Sequence, residues 1–179
     1  MQSAPPEWRE TQKMRLVGLL HVLSHRGVTR DQKDVAVSTL VVFANSAETC
    51  ELLLDVPTMK AMVKLCHEEY VTSFQAYGAL SVICALLRHE RGRVAFLAED
   101  NSVELLVGVL DNGDTDHPKE EREAIKEAVR RLYLTGTDNT KRRIRAELDA
   151  RPSLTFLDGI DAEQDLPASF VRRTRPPGH

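Results

Sequence analysis

His21 and His25 stand four residues apart in a run of apolar residues at helical spacing. On a helix their imidazoles share one face, a geometry that holds zinc when a glutamate follows the first histidine and a third ligand closes the set. Val22 follows His21, and the sequence names no third ligand. The pair therefore reads as a half-exposed helix face. Cys50, Cys66 and Cys84 show no CxxC spacing, and Cys66 and His67 are adjacent, so on a helix they point apart. A cysteine inside an apolar helical pattern acts as a small hydrophobe unless a base is assembled beside it. Asp111, Asp114 and Asp116 suggest a calcium loop, but the twelfth position from Asp111 is Arg122, where an EF-hand needs a glutamate. That segment reads as an acidic turn between helices. With no phosphate-binding glycine loop and no GxSxG sequence, the residues predict no enzyme, no cofactor and no metal site.

Basic residues are the remaining candidates for chemistry. Arg130, Arg131, Lys141, Arg142, Arg143 and Arg145 cluster late, followed by Arg172, Arg173 and Arg175. Such a run suits phosphate contact or nuclear import, with Arg142, Arg143 and Arg145 as the candidate nucleic-acid contacts. Glu120, Glu121, Glu123, Glu127, Glu147 and Asp149 interleave with the first group, so a solvated helix face with i, i+4 ion pairs explains most of it. Aromatic stacking platforms are lacking. A net charge of -3 gives no global attraction to a polyanion or a membrane surface. Nucleic acid is the second reading of partner, behind a protein.

The elements that must position these residues are helices. Charged residues make up 28% and hydrophobic ones 42% of the chain, but aromatics only 5%, so the core is aliphatic. A core of Leu, Val and Ala suits close helix packing, and Gly and Pro are sparse mid-chain. An odd number of cysteines within helical patterns points to a reducing compartment, cytosolic or nuclear. Pro5, Pro6 and Glu7 stand where a signal peptide needs a basic start and an apolar run, and no stretch approaches the roughly 20 apolar residues of a membrane span.

Periodicity predicts helices over Thr11–His25, over Asp31–Ala44 with Val35, Ala36, Leu40, Val41 and Phe43 buried, and over Glu48–Leu54. A further helix runs to Cys66 with Pro57 in its first turn. The stretch YVTSFQAYGALSVICALL, Tyr70–Leu87, reads as a helix buried on most sides. Arg91–Glu99, Ser102–Leu110 and Glu120–Leu134 continue the series, with weaker helices at Asn139–Leu148 and Ser153–Gly159. The order long, short, medium recurs. Ser73–Asp100 set on Arg122–Asp149 pairs Ala79 with Ala128, Leu80 with Val129 and Ile83 with Leu132; Ala36–Ala44 set on Ala76–Cys84 pairs Leu40 with Leu80 and Phe43 with Ile83. A period of about 40 to 50 residues with two or three helices per unit belongs to stacked helical repeats. Residues 1–10 then form an N-terminal tail, 11–160 the repeat domain and 161–179 a Pro- and Arg-containing C-terminal tail.

The segment GALSVICALL, Gly78–Leu87, resembles the third helix of an armadillo repeat, with its small-residue GAL triplet and following apolar residues. The spacing of Asp31, Lys33, Leu40, Phe43-Ala44, Glu69, Ala76, Gly78, Leu80 and Cys84 is also similar to that of small single-domain armadillo proteins. The resemblance covers roughly Gln12–Asn112. It implies an all-α, armadillo-like right-handed superhelix of about three repeats that binds another protein or a multiprotein complex, and an association with nuclear RNA-processing complexes. Peptide-binding armadillo families carry a groove asparagine on each third helix; the aligned positions here are Val42, Val82 and Arg131. Without an asparagine ladder, these three are the candidate groove contacts to an apolar or helical partner surface. In the C-terminal tail, Leu166, Phe170 and Val171 are candidate partner anchors, with Arg172 and Arg173 as polar followers.

Overall fold

The computed structural model describes residues 6–111, 118–155 and 157. Among these the chain is all-helical, with nine helices and no strand: α1 (Pro6–Ser24), α2 (Arg30–Asn45), α3 (Ala47–Leu53), α4 (Thr58–Cys66), α5 (Ser73–Leu86), α6 (Glu90–Leu97), α7 (Ser102–Asp111), α8 (Lys119–Thr135) and α9 (Asp138–Asp149). None of them is long and apolar enough to cross a membrane. Helix α1 reaches back to Pro6, so residues 6–10, expected in a tail, belong to it; proline suits a first helical position and Trp8 packs against the core. Thr29 caps α2, and Val35, expected inside, is exposed. In the stretch where a last helix was expected, residues 152, 153 and 157 form turns, and 156 and 158–160 lie outside the described residues.

The repeat appears in local chemistry as well as helix order. Thr29 and Thr72 each accept a hydrogen bond from the backbone N–H three residues on, while the side chains of Gln32 and Gln75 reach back to the cap nitrogens. These reciprocal boxes satisfy backbone donors that a helix start leaves open, each threonine being worth about 1 kcal/mol. The boxes are 43 residues apart, and so are the buried pairs Ala36 and Ala79, Val37 and Leu80, and Leu40 and Ile83. The expected offset of 40 for this pair of helices is therefore corrected by three residues, close to one helical turn. In α4 and α7 the buried positions Thr58, Met59, Met62 and Val63 correspond to Ser102, Val103, Leu106 and Val107, each 44 residues on. The offset of 49 between α5 and α8 pairs residues buried in both, Ala79 with Ala128 and Ile83 with Leu132.

The long helices pack in chain order, α2 on α5 and α5 on α8. A second row runs α1 on α4, α4 on α7 and α7 on α9, with short α3 and α6 bridging the rows. One aliphatic core runs through the stack, from Leu16 and Leu20 in α1 to Ile144 and Leu148 in α9. Polar ties pin the units together. Gln75 Nε2 donates to Asp34 Oδ1 at 2.6 Å, and Lys33 pairs with Glu68 at 3.0 Å. Asp55 receives both Lys13 of α1 (3.2 Å) and Arg91 of α6 (3.0 Å). Burial alone would raise the Asp55 carboxyl, but the hydrogen bonds and charges of these two cations outweigh it and hold it below its ordinary value.

Gly78 fixes how closely α2 and α5 approach, because a Cβ at that position would collide with the Val37 side chain. Gly78→Val is expected to lower unfolding free energy by about 1–3 kcal/mol through overpacking. Gly18, with open space around it, accepts alanine without loss. Urea denaturation of both variants checks the contrast.

Candidate partner-binding groove

The staggered approach of α2 and α5 leaves a groove of about 630 Å³ across the long-helix row. Ser38, Val41 and Asn45 of α2 line one wall, Phe74, Tyr77, Gly78, Ser81 and Cys84 of α5 with Arg88 just beyond it the other, and Pro118, Glu120, Glu121 and Ala124 close the end at the start of α8. The walls follow from helical period: residues three or four apart share a face. They also follow the repeat, since Ser38 with Ser81, Val41 with Cys84 and Asn45 with Arg88 stand at the same 43-residue offset as the caps. Phe74 is 53% exposed at the mouth, an aromatic ring left against water.

The expected groove residues are placed differently. Val82 is 0% exposed and lies in the core, so it cannot line a groove. Val42 is 68% exposed but stands outside the groove walls, one position past Val41. Arg131 lies on α8, where its guanidinium pairs with Glu127 at 3.0 Å. The structure does not bring the three together. Because adjacent helical residues are about 100° apart, a shift of one position carries a side chain from wall to core. The signal that finds the groove was in the sequence: the repeated Thr-x-x-Gln boxes set the register, and Ser38, Val41, Ser81 and Cys84 follow from it.

Val42 belongs to a second feature. It and Val35 lie two turns apart on the flank of α2 turned away from α5, and Met14 and Val17 are exposed on α1, the helix that packs beside α2. These four are among the exposed large apolar side chains of the described residues.

The late arginines separate onto different surroundings. Arg145 donates through Nε to Tyr133 Oη at 2.7 Å and its guanidinium lies 5.4 Å from that ring's centre. Arg143 reaches the opposite way, to the Leu97 carbonyl at 3.5 Å, and Arg142 is exposed. The i, i+4 pairing expected from the interleaved acids is present at Arg131 with Glu127 and Arg151 with Glu147. Leu166, Phe170, Val171, Arg172 and Arg173 lie outside the described residues, as do Asp114 and Asp116.

Chemically the groove offers hydroxyls, two carboxylates, one guanidinium and one thiol. Burial, then the nearby Glu121 charge, pushes the Cys84 thiol up to about 12. Burial does the same to Cys66, helped by Cys84 and Glu121. Cys50 sits 3.6 Å from His89 Nε2, yet burial raises it too, so this thiol is held protonated. The His25 ring accepts the Gly27 N–H at 3.1 Å and faces His21 at 5.6 Å between centroids. Among the described residues no group of three His, Cys, Asp or Glu side chains is placed to hold a metal ion. No protein-family model and no curated protein matches the chain.

The raised thiols give a direct readout. Against an ordinary value of 9, a pKa of about 12 leaves roughly a thousandfold less thiolate at pH 8. Iodoacetamide at that pH should label Cys66 and Cys84 at least a hundredfold more slowly in the native chain than in urea, as followed by mass spectrometry of the two peptides. Equal rates would show that the helices do not bury them.

Proposed function

We propose that this chain is an armadillo-like right-handed superhelix of about three repeats that serves as a protein-interaction adaptor or as a subunit of a larger assembly, in the cytosol or nucleus. The observation that carries the reading is the groove along α2 and α5, with Phe74 at its mouth and Val41 and Tyr77 on its walls. An aromatic ring half in water beside an apolar recess is the kind of surface that anchors a partner, because burying it releases apolar area at about 25 cal/mol per Å². Further support comes from Met14, Val17, Val35 and Val42, whose exposure suits docking into a larger body. A nucleic-acid role for the late basic cluster takes second place in this reading, since Arg143 and Arg145 already engage Leu97 and Tyr133.

The partner in this reading presents an apolar or helical surface, not an extended backbone. Asn45 lines the groove, but the equivalent residue one repeat on is Arg88, so no repeated amide clamps a ligand chain. Affinity capture from native extract, compared between variants, tests the proposal. Phe74→Asp should cut recovery of the co-purifying protein at least tenfold while far-UV circular dichroism stays unchanged. Tyr70→Asp, at a position 77% exposed and outside the groove, should leave recovery intact. A monomeric chain that recovers no partner, or recovery indifferent to Phe74, sinks the proposal.

A further inference from the structure

Away from the groove, the turn after α1, the start of α2 and the end of α4 form a second cavity of about 590 Å³. That lies inside the range of about 300–1,000 Å³ occupied by small-molecule sites. We infer that it binds the phosphate monoester group of a small molecule. Four cations, Arg26, Arg30, Lys33 and Lys64, line it against two carboxylates, Glu68 and Glu69. Lys33 and Glu68 already neutralise each other across 3.0 Å. The side chains of Arg26, Arg30 and Lys64 make no ion pair or hydrogen bond among the described residues. Cations elsewhere do otherwise: Lys13, Lys126, Arg131 and Arg151 each meet a carboxylate. A chain of net charge -3 thus gathers a surplus of two positive charges around one concavity.

The surplus decides the charge of the ligand. Like charges around a shared hollow repel, and its low-dielectric walls focus their field, so an anion of matching charge relieves the repulsion. A phosphate monoester carries about -1.5 to -2 at neutral pH, whereas a carboxylate or a sulfate ester carries a single charge and leaves the rest unanswered. Its oxygens also suit two guanidiniums, each a planar fork of N–H donors. Helix dipoles offset one another here, because the ends of α1 and α4 and the first turns of α2 and α5 all meet the cavity. Side-chain charge therefore dominates. His25 adds a neutral donor: its Nδ1 accepts the Gly27 N–H at 3.1 Å, so the neutral ring carries its proton on Nε2. Tyr70 lines the same cavity and is 77% exposed, a ring face for the organic part of the ester. No residue of this cavity lines the groove, so the two surfaces are tested separately.

The probes are phenyl phosphate, phenyl sulfate and inorganic phosphate, titrated into the full chain and followed by amide NMR shifts. Phenyl phosphate should shift amides in residues 24–33 and 64–70 and bind about tenfold more tightly than phenyl sulfate. Inorganic phosphate should bind severalfold more weakly through the same residues, and Tyr70→Ala should bring phenyl phosphate down to its level. Arg26→Ala with Arg30→Ala, and Lys64→Ala alone, should each weaken phenyl phosphate about tenfold; all three positions are exposed, and far-UV circular dichroism checks the fold. Glu69→Gln removes the unpaired carboxylate and should tighten binding severalfold, a gain that a folding defect does not produce. Phe74→Asp in the groove and Arg142→Ala, at an exposed cation on α9, should leave affinity unchanged. Absence of binding at millimolar probe overturns the assignment, as does binding that ignores Arg26, Arg30 and Lys64 or equal affinity for the phosphate and sulfate esters. A phosphoserine peptide that binds through the same three cations more tightly than phenyl phosphate supports the phosphate site and overturns the small molecule as its source.

Discussion

The contact between α2 and α5 is the constraint on which the rest of the molecule depends. Val37 occupies the space that a side chain on Gly78 would fill, so the two backbones come close enough for Gln75 to reach Asp34 at 2.6 Å. Gln75 is only 2% exposed and its amide does two tasks: the oxygen faces the cap nitrogen of Thr72 and the nitrogen donates across to α2. A buried amide with both ends satisfied is costly to disturb, so it fixes the axial register of the two helices where aliphatic contacts would let them slide. That register sets Ser38 beside Ser81 and Val41 beside Cys84.

Helix α8 continues the long-helix row but meets α5 through its first turns, where Pro118, Glu120, Glu121 and Ala124 meet the groove. Pro118 stands at its N-cap and supplies no side-chain hydrogen bond, so the open donors of the first turn are left to other partners. Glu120 and Glu121 sit where a helix N-terminus favours negative charge. The same two carboxylates are therefore stabilised by their own helix and displayed at the groove's end. The groove gains in this way one end with a sign.

Helix existence was legible in the sequence because the apolar residues of α2, α4, α7 and α8 recur on one face and leave a polar one. Register was harder to read in α5, whose stretch from Tyr70 to Leu87 is apolar on nearly all sides, so an alignment slides by a turn and still pairs hydrophobe with hydrophobe. That slide put Leu40 against Leu80, where the structure pairs it with Ile83, and it placed Val82 on a groove wall while the backbone buries it. Polar residues break the degeneracy: Thr29 and Gln32 against Thr72 and Gln75 admit a single offset. Val35 was misread for a related reason. It continues the apolar pattern of α2, but the described helices leave it exposed, and sequence alone does not reveal which flank of a helix its neighbours cover. Arg131 was legible as half of a helix-face pair because Glu127 stands four residues before it. Arg145 stacking on Tyr133 was not, since it depends on how α8 and α9 pack.

The absence of a repeated amide along the groove bears on what kind of ligand the proposed binding role allows. A ladder of amides at one position per repeat reads a ligand's backbone, giving affinity for any extended chain and leaving selectivity to the pockets between. Here the corresponding positions hold Asn45 and Arg88, an amide and a guanidinium, so the groove presents different hydrogen-bonding groups one repeat apart. Under the proposed binding role, recognition falls to side chains, with an apolar anchor beside Phe74 and the carboxylates of Glu120 and Glu121 at the end of the groove. In that proposal such a surface discriminates by where a ligand carries its apolar and basic groups. Because apolar burial supplies most of the affinity and the charges mainly set orientation, raising ionic strength should relax the choice of ligand before it removes binding altogether.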